Sequence, residues 1–154
     1  MNPSNLAVIR KAYADFARGD ISAVFAVFDP AIAWHVPGHS PLSGDFSGHD
    51  EIAGFFQRTM ELSRGAFSIE VRNVLAGGDL VIALVTVSAQ RNGVWASFPE
   101  VHVWRLKDGK AIEFLRISGG RGAGEPVLVV TSLGRPRGIG DTRYTAITSD
   151  VMEV

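Results

Sequence analysis

The chain has 154 residues, which suits one domain with a sizeable buried core. Its 46% apolar and 20% charged residues are the balance of a soluble globular protein, and the formal net charge of −1 comes without the basic stripe that nucleic acid would require. No apolar run approaches the ~20 residues of a membrane span, and the first residues lack the pattern of a secretory signal. Cysteine is absent, which excludes disulfides, thiol catalysis and thiolate metal sites and predicts a reducing, cytoplasmic setting.

The first predicted element is a helix over "SNLAVIRKAYADFARGD". Leu6, Ile9, Tyr13 and Phe16 form its apolar stripe, Ser4 or Asn5 caps it and Gly19 stops it. A second helix follows in "DISAVFAVFDP". Asp20 caps it, Ile21, Val24, Phe25 and Phe28 recur at helical spacing, and Pro30 ends it. "AIAWHV" is a short strand closed by Pro37 and Gly38. The stretch "PGHSPLSGDFSG" holds too many prolines and glycines for regular structure and reads as a loop. "HDEIAGFFQRTMELS" is the third helix, with Ile52, Phe55, Phe56 and Met60 on its buried stripe.

Four strands come next. "AFSIEVRNVLAGG" alternates between faces. "DLVIALVTVSAQ" is apolar on both faces, so something must cover both. "RNG" turns the chain into "VWASFPEVHVWRL", where Pro99 demands an edge or a bulge, and "KDGK" turns it again into "AIEFLRIS". The order α-α-β-α-β-β-β-β, with helices grouped before an antiparallel meander, predicts an α+β fold. Composition changes at Gly119. A domain over 1–118 is therefore expected, with an atypical C-terminal arm over 119–154 in which "EPVLVVTSL" is a candidate extra strand.

The elements up to Ser118 resemble the cone-shaped α+β barrel of the nuclear-transport-factor-like superfamily. Within it they resemble the SnoaL-like proteins, relatives of polyketide cyclases, ketosteroid isomerase and limonene-epoxide hydrolase. The marks are "ARGD", "WHVPG", "SG" before "EIAGFF", and "VHVWRLKDGKAIEF". The resemblance implies three helices on a curved, mainly antiparallel sheet, an apolar pocket at the wide end of the cone, and a homodimer through the outer face of the sheet. It implies no cofactor. The isomerase's proton-shuttling aspartate aligns with Val36, which cannot move a proton. Its oxyanion-binding tyrosine lies one residue from Tyr13, so the Tyr13 side chain is expected to point elsewhere. Its protonated aspartate falls on His102, and the hydrolase's Asp-Arg-Asp set has no counterpart. The chain is expected to be neither enzyme.

Three of the four histidines fall in "AWHVPGHSPLSGDFSGHDEI". No metal site is expected from them, because His35 and His39 share a face only on a helix, which Pro37-Gly38 forbids, and no acid completes a set. His49 opens a helix and is expected in solvent. His35 points away from Trp34 and Val36, toward structure or a dimer face, and His39 rims the pocket. In "PEVHVW" the period of two puts Glu100, His102 and Trp104 on one face, which the resemblance makes the pocket face. His102 is the candidate proton-transfer residue, with Glu100 to orient it. Trp34, Val36, His39, Phe56 and Trp104 are candidate ligand contacts, while Arg105 and Glu113 read as solvated strand residues. The expected activity is that of a pocket protein for a small, largely apolar molecule, with cofactor-independent isomerisation, cyclisation or hydrolysis at His102. The alternatives are a non-catalytic binding or accessory dimer and an assembly domain with a vestigial pocket.

Overall fold

The computed structural model describes residues 3–118. The expected arm over 119–154 lies outside the described residues. The chain runs α1 (Asn5–Ala17), α2 (Ile21–Val27), β1 (Phe28–Val36), β2 (Gly44–Ser47), α3 (Gly48–Ser63), β3 (Phe67–Gly77), β4 (Leu80–Arg91), β5 (Val94–Lys107) and β6 (Lys110–Ser118).

Local chemistry sets the helix ends. The Ser4 hydroxyl accepts from the Ala7 amide at 3.2 Å, and the Asp20 carboxylate from the Ala23 amide at 3.1 Å. Gly19 stands between the two helices at φ +74°, which a glycine adopts without strain. At α3 the Ser47 amide donates to Glu51 Oε2 at 2.6 Å, so a first-turn acid satisfies an orphan donor. On α1 the fully buried Asp15 carboxylate is held by Lys11 at 2.6 Å and by Arg18. The Lys11 hydrogen bond, foremost, and both cations keep that carboxyl below its ordinary range.

The strands form one six-stranded sheet in the order β2-β1-β6-β5-β4-β3. Only β1 and β6 pair in parallel. The register shifts between Phe28 and Ala33, between Val71 and Asn73, and between Arg105 and Leu106. Such bulges bend and twist a sheet, which here curves around the three helices and stays open. Asn92-Gly93 and Asp108-Gly109 all take positive φ, as tight hairpins with two central residues require. Pro99 pairs with Thr86 of β4 and lies one residue beyond the last β5–β6 pair, Glu100 with Ser118. Its missing donor therefore faces an edge among the described residues.

One expected loop contains structure. Residues 44–47 form β2, paired antiparallel with Ala33–Val36. Four residues suffice at an edge when a partner strand supplies the ladder, and Phe46 anchors them against Phe55 at 5.3 Å between ring centroids. Strand β1 also begins earlier than expected, at Phe28, with Pro30 in its bulged segment.

The core lies between the helices and the inner sheet face, built on Ile9, Ile32, Ile52, Val81, Val85 and the rings of Phe28, Trp34, Trp104 and Phe114. The outer face of β4 is less covered. Leu84 is exposed, Ile82 half-buried and Leu75 of β3 exposed.

Two glycines bracketing the start of α3 should respond oppositely. Gly48 has φ +79°, and a Cβ there would sit 3.3 Å from the Pro30 carbonyl oxygen. Gly48→Ala is expected to cost about 1–2 kcal/mol. Gly54 lies within the helix with nothing within 4 Å of an added Cβ. Gly54→Ala is expected to gain about 0.5–1 kcal/mol. Urea unfolding of the two variants checks both signs.

Candidate functional site

A cavity of about 350 Å³ opens between the helices and the sheet. Its walls are mostly aromatic. Phe16 of α1, Phe25 of α2 and Phe56 of α3 close one side, and Trp34, Trp104 and Phe114 close the sheet side. Trp34 stacks on Phe114 with centroids 3.8 Å apart and meets Trp104 edge-on at 5.6 Å. Strand alternation explains this: Trp34, Phe114 and Trp104 are direct cross-strand partners on β1, β6 and β5, so all three point inward.

Polar groups gather at one end. Trp104 Nε1 donates to the Tyr13 hydroxyl at 3.0 Å, and Tyr13 lies 2.7 Å from His102 Nδ1. His102 Nε2 lies 3.1 Å from Glu100 Oε2. The indole has only a donor, so the tyrosine oxygen accepts there; a carboxylate only accepts, so Glu100 takes the single Nε2 proton of the neutral imidazole and the tyrosine O–H donates to Nδ1. That fixes the imidazole tautomer with its proton on Nε2, donated to Glu100. Arg116, cross-strand from His102, places Nε 3.8 Å from Glu100 Oε1.

Burial decides the charge states. It lowers the affinity of His102 for a second proton, an effect that Glu100 opposes and Arg116 reinforces. It also raises the Tyr13 phenol far above its usual value, with a Trp104 hydrogen bond acting against it and the Glu100 charge with it. At neutral pH the tyrosine is protonated and the histidine neutral. Removing either partner would strand a buried polar atom, at about 1–3 kcal/mol.

Glu100, His102, Trp34, Phe56 and Trp104 all stand on the cavity wall, Phe56 from the stripe of α3 and the others from one face of the sheet. Val36 and His39 do not. Val36 is buried core at the far end of β1, and His39 is exposed in the loop after it. Tyr13 is the main correction. Its side chain does not point elsewhere; it reaches His102. The helical stripe Leu6-Ile9-Tyr13-Phe16 already carried that signal. Arg116 was missed, although alternation in "EFLRIS" puts it on the Phe114 face. His49 is half-buried rather than fully in solvent: Nε2 lies 3.2 Å from the Phe28 carbonyl oxygen and the ring packs edge-on against Phe25. On the outer sheet face Arg105 bonds Asp79 at 2.6 Å and lies 3.4 Å from Glu113. His35 lies between Asp45 at 2.8 Å and Glu113 at 3.4 Å, so Arg105 and Glu113 belong to an ionic network. Among the described residues no three His, Asp or Glu side chains stand where they could hold a metal ion, and no helix is long and apolar enough to cross a membrane.

Residues 9–114 match the SnoaL-like domain, well over half of the chain. The chain belongs to the SnoaL-like family. An uncharacterized protein of Mycobacterium tuberculosis is 28% identical over 119 residues, 77% of this chain and 82% of that one. An NTF2-like protein of unknown function from Burkholderia pseudomallei superposes with a TM-score of 0.69 at 29% identity, covering 75% of this chain and 90% of its own. TerC, co-crystallized with polyporic acid, superposes with a TM-score of 0.68 at 28% identity, covering 74% and 90%. The SnoaL-like domain here therefore has the α+β cone of the NTF2-like superfamily, with three helices on a curved, mainly antiparallel sheet.

The neutral His102 makes stability depend on pH. Unfolding restores its ordinary value of 6.5, so below that pH the unfolded chain binds the extra proton first. The contribution is complete above pH 6.5 and is lost as pH falls. Wild type is expected to lose melting temperature as pH falls from about 7 to 5.5, and His102→Gln to show a shallower slope over the same range. Equal slopes would mean that His102 binds its proton as readily in the folded chain as in the unfolded one.

Proposed function

We propose that this SnoaL-like domain binds a small, flat, largely apolar molecule in its aromatic cavity and exchanges a proton with it through Glu100. The observation that carries this is the occupancy of His102. Both ring nitrogens are engaged, one by Tyr13 and one by Glu100, so the imidazole has no lone pair for a ligand. Glu100 keeps its Oε1 without a hydrogen bond among the described residues. The two roles expected from the sequence are thereby exchanged: Glu100 carries the proton, and His102, fixed by Tyr13, orients the carboxylate. The co-crystallization of TerC with polyporic acid supports a small organic occupant. Isomerisation, cyclisation and hydrolysis are the classes such a base serves without a cofactor.

Proton transfer is testable without the natural substrate. In D2O, 2-tetralone exchanges its acidic C–H when a base takes the proton and returns a deuteron to the same carbon. Wild type is expected to accelerate this exchange over buffer, and Glu100→Gln to lose on the order of 10²-fold or more of that acceleration, by proton NMR. Binding of 2-tetralone without acceleration would leave the second reading, a non-catalytic binding protein. Buried hydrogen bonds throughout the Tyr13–His102–Glu100 chain suit that reading equally well as packing.

We also propose a homodimer in a cytoplasmic setting. Leu84, Leu75, Ile82, Val101 and Val103 leave an apolar patch on the outer face, bordered on one side by Arg105, Glu113, His35 and Asp45. Apolar centre with polar rim is the anatomy of a self-complementary interface, and the cysteine-free composition supports the location. Light scattering at micromolar concentration should return twice the chain mass, and Leu84→Glu the single mass with unfolding still cooperative. A wild-type monomer would rule the dimer out.

A further inference from the structure

Not every donor at the polar end of the cavity has an acceptor in reach. Trp104 Nε1–H, Tyr13 O–H and His102 Nε2–H are matched by the tyrosine oxygen, His102 Nδ1 and Glu100 Oε2. Two further donors stand on the same wall. Trp34 Nε1 and Arg116 Nε are both buried, and neither has a hydrogen-bond partner among the described residues. The carboxylate beside Arg116 is Glu100 Oε1 at 3.8 Å, beyond hydrogen-bond length. A buried donor left unmade is costly, and a guanidinium presents five N–H groups in a fixed fork. What Arg116 lacks is an acceptor within hydrogen-bond length, since Glu100 Oε1 stands beyond it.

We infer that the ligand is an aromatic acid: a planar ring system carrying a carboxyl, phenol or enol whose ionised oxygen sits on Arg116. This rests on the pocket reading above and names its ligand class. Charge supports it. Tyr13 and His102 are uncharged at neutral pH, so the charged groups facing the cavity's polar end are Arg116 and Glu100. A second anion beside an ionised Glu100 would be repelled. The balance closes if the Glu100 carboxylate takes up one proton on binding, from the O–H bond of a phenol or enol, or from the buffer where the ligand arrives as a carboxylate. The negative charge then passes from Glu100 to the ligand oxygen, and Arg116 changes partner from one to the other. Arginine suits this exchange, because its planar fork can hold a carboxylate or enolate with two parallel bonds.

Calorimetric titration with 2-naphthoate and 2-naphthamide, matched in shape and differing in charge, tests the inference. Wild type is expected to bind the acid about tenfold or more tightly than the amide at pH 7. Arg116→Gln should remove that preference by weakening the acid while leaving the amide within about twofold, and Arg116→Lys should keep part of it. Equal affinities in wild type, or a preference that survives in Arg116→Gln, would overturn the inference and leave the pocket reading standing. If Arg116→Gln fails to unfold cooperatively, Arg116→Lys decides, and an undiminished preference there overturns the assignment. Failure of both probes to bind wild type would remove the pocket reading and this inference together.

Discussion

A phenol, an imidazole and a carboxylate share protons inside an aromatic cage, and each must find a partner because water is excluded around them. That requirement ties α1 to β5 across 89 residues of sequence, through the Tyr13–His102 contact. It sets the rotation of α1 about its axis. With Tyr13 turned to the sheet, Ile9 and Ala12 enter the core, and Asp15 is buried on a neighbouring flank where Lys11 and Arg18 neutralise it. Packing alone tolerates a helix turned by some degrees; a buried hydrogen-bond chain does not. The same chain orients Trp104, whose indole must offer its N–H to Tyr13, and Trp104 in turn sets the edge-on contact with Trp34.

The two faces of the sheet handle charge differently. Inside, burial keeps His102 neutral and Tyr13 protonated, so full charges are confined to Glu100 and Arg116. Outside, Arg105 pairs with Glu113 and Asp79, and His35 bonds Asp45 and lies beside Glu113, in a polar chain linking the first two strands, the last two and the β3–β4 turn. Surface pairs of this kind contribute about 0–1 kcal/mol each, so their main effect is on location. They lie along one side of the apolar patch of β4 and β5.

Much of this was legible in the chain. The stripe of the first helix, the Ser4 and Asp20 caps and the positive-φ pairs of the hairpins are written in neighbouring residues, and each formed where local chemistry placed it, whereas Phe28 of the second stripe begins β1 and Met60 of the third is exposed. A period of two put Glu100, His102 and Trp104 on one face, and the resemblance turned that face inward. What could not be read depended on partners distant in sequence. Strand β2 exists because Ala33–Val36 lies beside it. His49 is half-buried because Phe25 and Phe28 come from another element. Val36 has the same facing as Trp34, but periodicity gives face and not depth, and the cavity ends before it. Tyr13 shows two signals in conflict. An offset of one residue in a distant resemblance pointed it away, while the helical stripe pointed it inward, and burial of the stripe prevailed.

The position of Val36 also bears on how this cavity differs from the isomerase it resembles. An acid at the end of β1 would sit in the place that here is 1% exposed core beside Trp34. In the proposed reading the carboxylate has moved to Glu100, on β5, separated from β1 in the sheet by β6. The move changes what the base needs. Glu100, with a side chain 7% exposed, has a polar neighbour beside each of its oxygens. His102 donates to one oxygen, and the Arg116 cation stands near the other. Tyr13 keeps His102 in the tautomer that can donate. A base built this way requires all four residues together, because each one holds or faces the next.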